Sequence, residues 1–143
     1  MKNFRQLLII TILFYSVSTI SQGSKEASLK DKKIIYVFGG WKGHSPKQSV
    51  DVFIPKLRAA GAKVTVYDNL NVYTDKDIMD NTDLIIQIWT MGKITKAQFD
   101  GLESAIISGT GFSGWHGGIG DAFRDNLRYQ FMVRRTIYIS SWG

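Results

Sequence analysis

At 143 residues the chain has room for at most one domain, and without cysteine it has no disulfide framework, lipobox anchor or thiol nucleophile. Its formal charge of +6 does not mark a nucleic-acid binder. Lys2, Arg5, Arg134 and Arg135 lie near the two ends, and the 14 basic residues between them nearly balance 12 acidic ones, leaving no patch suited to a phosphate backbone.

Residues 1–22 have the layout of a secretory signal peptide: Lys2 and Arg5, an apolar run over 7–17, then small polar residues, with cleavage expected near Ser21 or Gln22. The run is shorter than the roughly 20 apolar residues that span a bilayer, so the expectation is export to the periplasm or medium without stable membrane insertion. Residues 23–32 read as a solvated linker. Residues 34–38 (IIYVF) are a continuous apolar run, as in a central parallel strand covered on both faces. The glycine-rich loop GGWKGHS follows, with Ser45 expected to cap a helix that has Pro46 at its first position. Val50, Phe53, Ile54 and Leu57 recur at helical spacing up to the stop at Gly61, with a kink expected at Pro55. Residues 62–67 (AKVTVY) alternate as a second strand, and 74–81 suit one or two helical turns. Residues 84–90 (LIIQIWT) are a third strand, apolar on both faces except at Gln87. Thr95 then caps a helix bearing Phe99, Leu102, Ala105 and Ile106, which stops at Gly109.

Strands alternating with helices predict an α/β fold with an open, doubly wound, mainly parallel sheet of the flavodoxin-like kind. The first strand should be central, with the third and fourth to one side. Ligands of such sheets bind beyond the carboxyl ends of the strands. There the stretch GTGFSGWHGGIG (109–120) supplies a short fourth strand over 112–115, then a turn at His116. Gly117 and Gly118 are expected to provide its φ freedom. The pattern G-x-H-x-G matches a nucleophile elbow with histidine in place of Ser or Cys. Residues 121–132 read as a helix or a partly ordered loop, and the tail RRTIYISSWG as a short β-like run.

His44 and His116, the chain's two histidines, fall on loops at the same sheet edge. They suit an acid/base pair or ligands of a divalent metal such as zinc; alternatively each hydrogen-bonds its own loop. GGWKGHS has neither the Walker nor the G-x-G-x-x-G pattern, which weakens a phosphate-binding reading. Asp121, Arg124 and Asp125 are close enough in sequence to reach the same crevice, or else form surface ion pairs. Trp41 and Trp115 flank the histidines and could stack on a sugar ring, though packing is the commoner fate of tryptophan. Gly117 and Gly118 complete the candidate ligand-binding set.

The segments IIYVFGGWKGHS, VYTDKDIMDNTDLIIQIWTMGKIT and, above all, GTGFSGWHGGIGDAFRDNLRYQFMV resemble the trehalose-utilisation (ThuA-like) domains over residues 33–133. The resemblance implies a class I glutamine amidotransferase-like fold and a role in carbohydrate metabolism, with a sugar or keto-sugar derivative as ligand. It does not imply glutaminase activity, because His116 stands where the amidotransferase relatives carry a catalytic cysteine. A noncatalytic carbohydrate-binding module is the alternative. After Val133 the family typically continues GGQ-aromatic-x-x-HPG, and one codon choice for RRTIYISSWG reads GGQYISHPG when shifted by a nucleotide. This leads to the expectation that residues 134–143 are an aberrant, frameshifted tail. The sheet would then be incomplete at its C-terminal side, and the chain poorly stable and inactive.

Overall fold

The computed structural model describes residues 28–140, with side chains to Val133. The expected leader, linker residues 23–27 and residues 141–143 lie outside the described residues. Four strands, β1 (Lys33–Gly40), β2 (Lys63–Tyr67), β3 (Leu84–Thr90) and β4 (Gly111–Ser113), form one sheet in the order β2-β1-β3-β4. Every pairing is parallel. The helices are α1 (Pro46–Ala59), α2 (Lys76–Asp80), α3 (Lys96–Ile107) and α4 (Leu127–Ser140). This is the flavodoxin-like arrangement the alternation predicts, with β1 inside the sheet and β3 and β4 to one side.

Parallel strands need crossover connections, and the connecting helices cover both faces of the sheet. Neighbouring residues of β1 therefore point into different cores. Tyr36 and Val37 are both fully buried. Tyr36 joins Ile34, Ile54, Val64 and Ile88 in one cluster, while Val37 joins Ile35, Ile85, Phe99, Leu102 and Phe112 in the other.

Local signals account for most element ends. Thr95 and Gln98 make a capping box at α3, with Gln98 N–H donating to Thr95 Oγ1 at 3.2 Å and Thr95 N–H to Gln98 Oε1 at 3.0 Å. Asp75, after a 3₁₀ turn at Asn71–Thr74, caps α2 by accepting from Ile78 N–H at 3.0 Å. α1 runs unbroken through the exposed Pro55. Ser45 does not cap α1 with its side chain: at φ 52° and ψ 47° it closes the preceding 3₁₀ turn Lys42–His44, donating its N–H to Lys42 C=O at 3.0 Å.

Two further departures concern the ends of the domain. Leu29 packs on the α1-side core and Asp31 N–H donates to Gly61 C=O at 3.0 Å, so chain contacts begin inside the stretch that reads as linker. At the other end α4 continues to Ser140 in place of a β-like tail. Asn126 Oδ1 accepts from Tyr129 N–H at 3.0 Å, an N-cap contact, and once a helix is nucleated each added residue brings its own hydrogen bond.

Candidate functional site

β1 and β3 end in register, with Gly40 opposite Thr90. Gly40 has φ +76°, and a Cβ there would lie 2.1 Å from Thr90 O, so only glycine lets the chain cross the end of β3. Trp41 N–H then donates to Thr90 C=O at 3.0 Å, and the turn Lys42–His44 follows. The Trp41 ring meets His44 edge-on, centroids 4.8 Å apart at 71°. It also lies over Gly43, where a Cβ would come within 2.3 Å of the indole.

After β4, Trp115 is extended and His116–Gly120 form one π-helical turn, with Trp115 C=O accepting from both Gly118 N–H and Ile119 N–H at 2.8 Å. This differs from a strained elbow. Among the described residues with positive φ, neither His116 nor Gly117 nor Gly118 appears. Their glycines are needed for space instead: a Cβ on Gly118 would lie 2.9 Å from Ile88 Cα, and one on Gly117 2.9 Å from the His44 ring. Gly118 is buried beneath the turn, so it seats the loop on β3. Past the turn, Met91 N–H donates to Asp121 C=O at 2.9 Å and Met91 bridges Ala122 in parallel, carrying the sheet edge beyond β3.

The two histidine loops are joined by the first imidazole. His44 Nδ1 lies 3.0 Å from both Gly117 O and Thr90 Oγ1, and Thr90 Oγ1 also donates to Gly117 O. A carbonyl only accepts, so we assign the proton to Nδ1, which leaves the Nε2 lone pair directed elsewhere. His116 is exposed, with its ring over Gly120, and its imidazole makes no hydrogen bond among the described residues. Asp121 lies near both. Its carboxyl is held below the usual carboxylate range first by the hydrogen bond from Arg124, against a burial cost, and then by the charge of Arg124 and of His116 and His44. Arg124 Nε donates to Asp121 Oδ1 at 3.0 Å. Asp125 turns away, 3.7 Å from Lys93 Nζ.

Beneath the turn runs a buried relay. Tyr73 OH donates to Gln87 Oε1 at 2.8 Å, Gln87 Nε2 to Tyr129 OH at 2.7 Å, and Tyr129 OH to Ile119 C=O at 2.8 Å. All three side chains are fully buried, and burial pushes both phenols well above their ordinary range. Gln87, in the middle of the apolar run of β3, is thus the centre of a buttress for the histidine turn.

A family model named ThuA, described as trehalose utilisation, matches residues 33–137. The chain belongs to this family. No curated protein and no solved structure matched it. The match begins where β1 begins and runs past Val133 to residue 137, so this ThuA domain takes in the whole sheet and both histidine loops.

Within the ThuA domain a divalent metal finds a poor donor set. A catalytic zinc usually takes three protein ligands. Among the described residues no three His, Cys, Asp or Glu side chains converge to hold a metal; His44 Nδ1 is committed to the turn and Asp121 Oδ1 to Arg124. The described residues do not fit such a metal. Two cavities, of about 740 and 270 Å³, lie away from the histidines. The larger is lined by Lys32, Asp83 and Thr110 at the amino ends of the strands, the smaller by residues of α2 and α3.

Sequence reasoning missed Thr90, Tyr73 and Tyr129, for which Gln87 was the one available signal. Phe53, at helical spacing on α1, lies outside the core at 41% exposure, and its ring pairs with Trp115.

Proposed function

We propose that this ThuA domain is an enzyme of carbohydrate metabolism, acting on a sugar or sugar derivative at the carboxyl edge of the sheet. His44 and His116 exchange protons with the ligand. The free Nε2 of His44 takes a proton, and His116, exposed and unpartnered among the described residues, gives or receives the other. Asp121, ionised and held by Arg124, places a negative charge near both histidines, while Arg124, Trp41 and Trp115 line the approach. The observation that carries this reading is the bond from His44 to Gly117, the residue after His116, because it ties the two histidine loops into one unit.

Turnover of trehalose and keto-sugar derivatives by single variants of a frame-repaired chain tests it. His44→Ala and His116→Ala should each lower turnover by about 10²–10⁴-fold while sugar binding persists. Turnover that survives both substitutions would overturn the enzyme reading. A noncatalytic carbohydrate-binding module is the second reading, favoured by the half-exposed Trp41 and Trp115, and it expects His116→Ala only to weaken binding.

A further inference from the structure

Phe53 stands on α1 at the spacing of a core residue, yet it is not in the core. Ile54 is buried and Val50 and Leu57 pack against the α1-side cluster, whereas Phe53 remains 41% exposed. Its ring pairs with Trp115, itself 39% exposed, with centroids 5.3 Å apart and planes tilted by 38°. Two aromatic rings from different elements therefore meet at the surface, immediately before His116 in the chain.

We infer that Phe53 and Trp115 form an aromatic ledge that takes the flat C–H face of a pyranose ring beside His116. This rests on the sugar reading above. The residue beside the ledge in the chain favours such an occupant over a wholly apolar one. Trp115 of the ledge directly precedes His116, whose exposed imidazole makes no hydrogen bond among the described residues, so an apolar occupant that covered it would leave that imidazole without a partner. A pyranose supplies both a C–H face for the rings and hydroxyls for the imidazole. Trp41 is a poorer stacking surface, because Gly43 lies against its ring and His44 meets it edge-on. The stacking role that Trp41 and Trp115 share in the sequence reading thus passes to Phe53 and Trp115.

The test is a tryptophan-fluorescence titration of the full chain with trehalose, methyl α-glucoside and sorbitol, the last being a polyol without a ring face. The two ring sugars should perturb the emission and sorbitol should not. Phe53→Ala should weaken ring-sugar binding by about threefold to tenfold, and Phe53→Trp should restore it. Circular dichroism of Phe53→Ala and Phe53→Trp checks that both variants keep the fold. Ring-sugar affinity unchanged in Phe53→Ala would overturn the ledge while leaving the sugar reading intact, and so would sorbitol binding as well as the ring sugars do. No binding of either ring sugar by the unaltered chain would overturn both.

Discussion

Gly117 carries no side chain because the His44 ring occupies the place where one would stand, 2.9 Å from its ideal Cβ. It has no positive φ to protect, so alanine is acceptable to the backbone and the damage should stay local. Gly117→Ala is expected to displace the His44 imidazole, shifting its NMR resonances and lowering turnover at least tenfold, on the order of 1.4 kcal/mol, with little change in unfolding temperature. Unmoved His44 resonances would show that the ring is held some other way. Asp121 offers a second test at this scale. Its carboxyl pKa is lowered from 3.8, chiefly by the Arg124 hydrogen bond. Its contribution to stability is therefore present above the unfolded value and lost as pH falls below 3.8 through the lowered folded value. Unfolding temperature measured against pH should decline less steeply over that acid range in Asp121→Asn, and an unchanged acid limb would contradict the assignment.

The π-turn as an element rests on β3 from below, through Gly118 against Ile88 and through the relay from Gln87 to Ile119 C=O. A buried polar chain is favourable only when every member is paired, and losing its centre leaves hydroxyls stranded away from water. Gln87→Leu should thus destabilise the fold by about 2–4 kcal/mol, although the new side chain is apolar and of similar size. Tyr129→Phe, which removes the one hydroxyl linking Gln87 to Ile119, should cost about 1–2 kcal/mol and also loosen the turn. Denaturant unfolding of both variants measures these losses. A neutral or stabilising Gln87→Leu would mean that packing alone seats the turn.

For the whole molecule, the open sheet places every candidate residue of the site at one edge, because parallel strands all end on the same side. Among the described residues no helix is long and apolar enough to cross a membrane. We propose that the chain is exported with loss of its leader, so the mass of protein recovered from the periplasm or medium should correspond to cleavage near Ser21 or Gln22. A full-length mass confined to the cytoplasm would refute this.

The alternation of elements, the parallel sheet and its strand order, and the edge bearing His44 and His116 could all be read from sequence. Continuous apolar runs such as 34–38 and 84–90 encode burial on both faces, and caps such as Thr95 encode where helices start. These are local signals about local conformation. The tertiary structure alone decided that Gly117 is needed for room rather than rotation, that Phe53 leaves the core for Trp115, and that Gln87 is paired at both ends. The His44 to Gly117 contact spans 73 residues, and those of Gln87 span 14 and 42. Periodicity carries no record of such partners, because packing, not local conformation, chooses which distant group fills a given space.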